Sequence, residues 1–186
     1  MGIPTLIKTQ TASDSAYLDF IDGTSDVVLD STYDEYMFVF TDINPAANAS
    51  QWSFQVNATD DAGGSYDSSP ITSSYFYASH DEADSATNLA YHGSHDLAQG
   101  TAFQTLAHSV GNGADESCAG ILHLFSPSST TYVKHFYSTF NIYFHTDVSY
   151  HTFCSGYIND TTAIDEIRFK MNTDNFDGVI QLFGIS

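Results

Sequence analysis

Basic side chains are nearly absent from this sequence. Only four are present, Lys8, Lys134, Arg168 and Lys170, against 23 Asp and Glu residues, so the formal net charge is −19. Proteins bind nucleic acid largely by neutralising phosphates with Lys and Arg, so nucleic acid is a poor partner for this chain. An anionic membrane surface is disfavoured for the same reason. Copies of the chain repel one another at low salt, and added salt screens that repulsion.

Cysteines and long apolar runs are also scarce. Cys118 and Cys154 are the two cysteines, and neither has Cys-x-x-Cys or another metal-binding spacing. We predict two buried free thiols, with a disulfide as the alternative. No apolar run approaches 18 residues, so the sequence predicts no transmembrane helix. The first residues lack the basic region and apolar stretch of a signal peptide, which for an extracellular protein predicts release by lysis.

Aromatic residues are abundant, with 14 Phe and 12 Tyr making up most of a 15% aromatic content. Such residues favour strands over helices, and short or alternating apolar runs predict the same. The predicted strands cover residues 3–7, 17–21, 33–43, 51–56, 74–78, 103–110, 120–125, 132–144, 152–158, 164–171 and 179–185. We expect an all-β fold: a single antiparallel β-sandwich domain of jelly-roll type spanning residues 1–186. The first two strands are expected to pair with each other.

Two segments give more specific expectations. Residues 81–91 carry Ala and Leu at roughly helical spacing, with acids in the first turn. This pattern predicts a long loop with one or two helical turns, and an irregular loop is the alternative. The last predicted strand should place Ile180 and Leu182 on one face, and Val179, Gln181 and Phe183 on the other.

Eight histidines raise the question of a metal or catalytic site. They are His80, His92, His95, His108, His123, His135, His145 and His151. Only His92 and His95 are close in sequence, and their spacing does not place both rings on one strand face. Because no second pair has ligand spacing, we predict no metal site there. His123 and His135 alternate with apolar residues, which predicts positions at strand surfaces or subunit contacts.

Asp-rich turns offer oxygen ligands of the kind that calcium prefers. One turn holds Asp60, Asp61 and Asp67, and the other holds Asp174, Asn175 and Asp177. Neither matches the D-x-[DN]-x-[DN]-G calcium loop, so solvated turns are the favoured interpretation. The sequence also lacks the G-x-S-x-G, P-loop and H-E-x-x-H motifs. We therefore predict a non-enzymatic protein with no catalytic residue, no cofactor and no metal.

Several motifs resemble a known family. They are Tyr33-Asp34-Glu35-Tyr36 leading to Ile43-Asn44-Pro45-Ala46, His80-Asp81-Glu82-Ala83, Gly111-Asn112-Gly113, and the ending from Ala163-Ile164-Asp165 through Phe169-Lys170-Met171 to Phe176-Asp177-Gly178 and Ile185. Together they are similar to structural proteins of marine tailed bacteriophages. The resemblance covers most of the chain and consists of short motifs. It implies a virion component with a β-sandwich fold, and it assigns no catalytic residue.

The leading expectation from this resemblance is a capsid decoration (cement) protein on the outer surface of the head. It would be assembled in the host cytoplasm and released by lysis, with other virion proteins as partners. The 15% aromatic content exceeds what one sandwich core of this size needs, which separately predicts self-association as a homotrimer or another symmetric assembly. The alternative is a tail-fibre or tail-tip module that contacts host glycans. In that case Tyr66, Tyr75, Tyr77, Tyr91 and Tyr157 offer rings for sugar stacking. A glycan-active enzyme or free lectin outside a virion is the third hypothesis.

Overall fold

The structure, a computed structural model, describes residues 2–59, 66 and 69–186. The described residues form twelve antiparallel β-strands and contain no helix. The strands are β1 (Thr5–Ser15), β2 (Leu18–Ile21), β3 (Glu35–Pro45), β4 (Ser50–Ala58), β5 (Ile71–Asp81), β6 (Thr87–Tyr91), β7 (Gln104–Val110), β8 (Cys118–Phe125), β9 (Lys134–Phe144), β10 (Val148–Ile158), β11 (Ile164–Met171) and β12 (Phe176–Ile185). The all-β, antiparallel prediction is confirmed.

The strands connect into one nearly closed sheet. Eight strands pair in the order β1-β12-β3-β8-β9-β10-β5-β6, and four pair in the order β7-β4-β11-β2. A single bridge between Val110 and Phe144 joins the two groups through β7 and β9. We call them the eight-strand ladder and the four-strand ladder.

Aromatic rings from both ladders form one core. Phe169 of β11 lies at its centre, with its ring centroid 5.0 Å from that of Phe40 and 5.1 Å from that of Phe38, both in β3. Trp52 of β4 stacks on Phe169 at 6.0 Å. All four side chains are 0–1% exposed. The Phe rings therefore join strands that are not hydrogen-bonded to each other, such as β11 and β3.

The expectation of helical turns within residues 81–91 was wrong. Residues 82–86 form a turn, and β6 follows it where helical turns were predicted. The Asp81 carboxylate accepts hydrogen bonds from the backbone N–H groups of Ser85 (2.9 Å) and Ala86 (2.8 Å). An Asp that captures nearby backbone donors in this way stabilises a turn in place of a helix. The acids that suggested a helix start thus shape the hairpin between β5 and β6.

The pairing of the chain ends also differs from the prediction. β1 pairs with β12, and β2 pairs with β11, so the first two strands lie at opposite ends of the strand order. The turn at residues 172–175 carries the chain from β11 in the four-strand ladder to β12 in the eight-strand ladder, so it is not a hairpin. The predicted faces of the last strand are confirmed, because Ile180 and Leu182 are buried while Gln181 and Phe183 are half-buried.

Three of the four basic side chains are tied into this framework. Lys134 is fully buried, and its Nζ donates to the carbonyl oxygens of Asp160 (3.0 Å) and Thr162. Arg168 forms a bidentate ion pair with Asp19, in which two guanidinium nitrogens donate to the two carboxylate oxygens at 2.7 and 2.6 Å. This pair links β11 to β2. Lys170 lies over the ring of Phe103. These three basic side chains therefore stabilise the fold and do not form a basic surface patch.

Candidate functional site

A tight turn brings two histidines together immediately after β6. The backbone N–H of His92 donates to the carbonyl oxygen of Tyr75, and that of His95 donates to the carbonyl oxygen of His92 at 3.1 Å. Gly93 and Ser94 occupy the centre of this β-turn. The first and last residues of such a turn lie side by side. The ring centroids of His92 and His95 are accordingly 4.3 Å apart.

The third histidine comes from a different strand. His108, in β7, is 3% exposed, and its ring centroid lies 4.7 Å from that of His95 and 5.1 Å from that of His92. One ring nitrogen from each of the three residues lies within 4.8 Å of the other two. In the part of the chain that the structure describes, no other three His, Cys, Asp or Glu side chains come together in this way. We call these three residues the histidine cluster.

Hydrogen bonds orient two of the three rings. Nδ1 of His108 is 2.8 Å from the hydroxyl of Tyr75, and Nδ1 of His92 is 2.9 Å from the hydroxyl of Ser94. Tyr75 is itself fully buried and its hydroxyl also reaches the carbonyl oxygen of Leu106 at 3.4 Å. With Nδ1 engaged in both rings, Nε2 is the nitrogen that each can offer to a further partner.

Gln104 holds the loop of the cluster in place. Its side chain is fully buried, and its Nε2 donates to the carbonyl oxygen of His95 at 2.9 Å. Its Oε1 accepts from the hydroxyl of Ser73 at 2.6 Å, and that hydroxyl accepts from the backbone N–H of Leu97. The amide thus joins the loop after β6 to both β5 and β7.

Burial sets the protonation state of His95 and His108. Desolvation is the largest cause that lowers the pKa of His108 to about 3, followed by repulsion from His95 and His92. Desolvation also lowers the pKa of His95 to about 4, followed by repulsion from His92. Both rings are therefore uncharged at neutral pH. The rings of Tyr150 and Phe144 also pack against His108, with centroids 5.2 and 5.9 Å from that of His108.

The remaining histidines are dispersed. His123 lies on β8, where it hydrogen-bonds Glu35 and stacks on Tyr137 with centroids 4.4 Å apart. His135 is exposed on β9, as expected for a strand surface. His80 and His151 are exposed on β5 and β10. His145 follows β9, with its Nδ1 3.4 Å from the carbonyl oxygen of Ser109.

The structure describes one of the two Asp-rich turns, the one at residues 174–177. Asp60, Asp61 and Asp67 lie outside the described residues. The Asp177 carboxylate accepts the backbone N–H of Asp14 at 2.7 Å, and the side-chain amide of Asn175 donates to Asp14. The Asp177 carboxylate and the Asn175 side chain therefore already hydrogen-bond to nearby groups of the chain. Cys118 and Cys154 are buried and free, which confirms the expectation of two unpaired thiols.

The tyrosines proposed for sugar stacking do not share a surface. Tyr75 is fully buried, and Tyr66, Tyr77 and Tyr157 are half-buried. Tyr91 is 59% exposed, and its hydroxyl donates to the carboxylate of Asp96. Only Tyr91 of this set therefore presents a largely accessible ring.

Aromatic and other apolar residues form rows among uncharged polar residues on the outward side of the eight-strand ladder. We call this side the outer face. Leu6, Phe183, Met37, His123 and Tyr137 pair in register across β1, β12, β3, β8 and β9. A neighbouring row places Tyr91, Phe76 and Phe153 in register across β6, β5 and β10, with the rings of Phe76 and Phe153 stacked at 4.9 Å. Directly opposed residues of paired strands lie on the same side of the sheet.

The charge on the outer face contrasts with that of the chain. Strands β8, β9 and β10 contain no acidic residue, the outward positions of β5 contain none, and four histidines lie on these strands. Those histidines are His80, His123, His135 and His151. The central strands of the outer face are thus free of outward carboxylates, on a chain with 23 acidic residues.

Comparisons with known proteins add no relative. No protein-family model matches the chain, and no curated protein matches it by sequence. Within the described residues, no helix is long and apolar enough to cross a membrane.

No sequence pattern indicated the third histidine. His108 lies thirteen positions after His95 and alternates with apolar neighbours in a strand, as structural histidines also do. The Gly93-Ser94 pair could have predicted that His92 and His95 lie close together, because Gly and Ser favour a β-turn. A β-turn brings positions i and i+3 together in a segment that is neither helix nor strand.

Proposed function

We propose that this protein is a non-enzymatic structural component of a tailed-phage virion, most simply a decoration protein on the outer surface of the capsid. The family is proposed from the motif resemblance described above. The observation that carries the structural role is the outer face: a sheet surface with rows of aromatic residues, whose central strands carry no outward carboxylate, on a chain of net charge −19. Exposed apolar patches of this kind mark protein interaction sites.

The occupant proposed for the outer face is another copy of the same chain, within a homotrimer. Two copies that each carry a charge of −19 can approach closely only through surfaces from which the acids are absent. The outer face meets that requirement, and Phe76, Phe153 and Tyr137 supply aromatic area to bury. The acidic remainder of each copy then faces solvent or the capsid lattice.

The finer architecture is part of the same proposal. We propose that the two ladders are the layers of a jelly-roll type sandwich. The support is that Phe40 of the eight-strand ladder contacts both Trp52 and Phe169 of the four-strand ladder, with ring centroids 5.9 and 5.0 Å apart. Two sheets that pack face to face share an interior of this kind.

A tail-fibre or tail-tip module is the alternative proposal. One observation favours it: Tyr91 has an exposed ring whose hydroxyl contacts Asp96, and a ring beside a carboxylate suits a sugar. Immunogold labelling of purified virions with antibody to this chain separates the two positions. Gold around the head supports decoration, gold at the tail supports the alternative, and virions without label contradict both.

Self-association should depend on salt and on the outer face. In 1 M NaCl, where the Debye length is about 3 Å, we expect sedimentation velocity to show a trimer. At about 0.01 M salt the Debye length is about 30 Å, and the assembly should dissociate. Phe153→Glu should give monomer in both buffers, because it places a charge where Phe76 and His151 stack.

Thr24→Glu is the matched control for this experiment. It adds the same charge at an exposed loop residue, and Thr24 makes its hydrogen bonds to Ile21 and Val27 through its backbone. It should sediment like the unmodified protein. A monomer at micromolar concentration in 1 M NaCl would contradict self-association, and equal behaviour of the two variants would exclude the outer face as the interface.

A further inference from the structure

We propose that the histidine cluster binds one divalent transition-metal ion, with Zn²⁺ as the best match, through one imidazole nitrogen each from His92, His95 and His108. The three ligand atoms already lie within 4.8 Å of one another without an ion between them. This inference replaces the expectation of no metal site, and it does not depend on a virion role for the protein.

The geometry is close to that of a bound ion. Zn–N bonds of about 2.0–2.1 Å in a tetrahedral site place ligand nitrogens about 3.4 Å apart. The cluster therefore needs a contraction on the order of 1 Å at its widest separation. His92 and His95 are half-buried and lie on a turn, so their rings can move inward. His108 is buried in β7 and provides the fixed ligand.

Hydrogen bonds in the cluster resemble the outer contacts of metal-bound histidines. A metal-binding imidazole usually uses its second nitrogen to donate to an oxygen atom, which fixes the ring and its tautomer. The hydroxyls of Tyr75 and Ser94 are in that position at Nδ1 of His108 and His92. Tyr75 can direct its own proton to the carbonyl oxygen of Leu106, which frees its oxygen to accept from His108.

The donor set defines the class of ion. Three imidazoles suit Zn²⁺, Cu²⁺, Ni²⁺ or Co²⁺, whereas Ca²⁺ and Mg²⁺ prefer carboxylate and carbonyl oxygens. Three protein ligands leave the fourth tetrahedral position to water or another small donor. The net charge of −19 raises the local concentration of cations around the protein.

A bound ion would join two parts of the fold that lack a ladder between them. His92 and His95 follow β6 at the edge of the eight-strand ladder, whereas His108 belongs to β7 in the four-strand ladder. An ion that binds all three holds the edge hairpin of β5 and β6 against β7. Its role in this site is structural, and its expected effect is a higher melting temperature.

The test is a metal titration of the full chain, prepared without a histidine tag and stripped with a chelator that is then removed. Isothermal titration with ZnCl₂ should show one ion per chain with micromolar or tighter affinity. Co²⁺ should give the visible absorption bands of a four- or five-coordinate site. Zn²⁺ should raise the melting temperature, and chelator should reverse that rise.

Two variants decide whether the cluster is the site. His92→Gln/His95→Gln removes two of the three ligands, so Zn²⁺ affinity should fall at least about 100-fold and Zn²⁺ should no longer raise the melting temperature above the metal-free value of the same variant. His135→Gln removes an exposed histidine elsewhere and should bind like the unmodified protein. Absence of stoichiometric binding would overturn the proposal. So would undiminished affinity in the double variant, because the ion would then be held by scattered surface histidines.

Discussion

Phe169→Ala should lower the free energy of unfolding by about 3–5 kcal/mol, the range for removing a large aromatic side chain from a packed core. Phe169 contacts rings from three strands, including Phe38 at 5.1 Å, Phe40 at 5.0 Å and Trp52 at 6.0 Å. These rings belong to both ladders, and their backbones are held by separate hydrogen bonds. The core therefore has little freedom to collapse into the cavity, which places the loss high in that range.

Urea unfolding followed by Trp52 fluorescence measures this effect, with an unchanged slope of free energy against urea as the check that the unfolded state is the same. Tyr132→Ala is the control. Tyr132 is 73% exposed, so its removal should change stability by no more than about 0.5 kcal/mol. A loss below about 1 kcal/mol for Phe169→Ala would show that the core repacks freely around this position.

Ending the chain after Gly178 should abolish folding and give insoluble protein. The missing residues are most of β12, which pairs with β1 on one side and β3 on the other. Both neighbours would become open edges within a large sheet, and unpaired edges promote aggregation. Ile180 and Leu182, both fully buried, would also be lost from the core. The combined loss exceeds a typical stability of about 5–15 kcal/mol.

Deleting Ser186 alone is the matched control for that truncation. Ser186 follows β12 and is exposed, so this variant should stay soluble and unfold cooperatively. Solubility and circular dichroism of the two variants give the comparison. A soluble truncation at Gly178 with cooperative unfolding would mean that the last strand is dispensable, and the nearly closed sheet would not need it.

Strand positions were largely predictable because they depend on local patterns. The run at residues 164–171 coincides with β11, and 33–43 and 179–185 fall mostly within β3 and β12. Burial was harder to predict. Ser53 and Gln55 of β4 alternate with apolar residues, a pattern typical of a strand with one solvated face, yet both are buried. The Gln55 amide donates to the carbonyl oxygens of Thr101 and Ala102, a contact that no local pattern reports.

Strand pairing could not be predicted, because it depends on contacts between distant parts of the chain. The partner of Thr9 in β1 is Gln181, near the other end of the sequence. Short connections favour pairing between successive strands, which is why β1 and β2 were expected to pair. The candidate metal site follows the same logic. His92 and His95 needed a turn, and His108 needed the packing of β7 against β5.

The placement of the basic residues also makes this protein a poor substrate for trypsin, which cleaves after Lys and Arg. Lys8 lies in β1, Lys134 in β9, and Arg168 and Lys170 in β11, so each of the four cleavage positions is inside a paired strand. A protease needs an extended, detached segment, and strand interiors supply one only when the sheet opens. Under brief digestion the folded chain should remain intact, and the rate of its disappearance should track the population of opened protein.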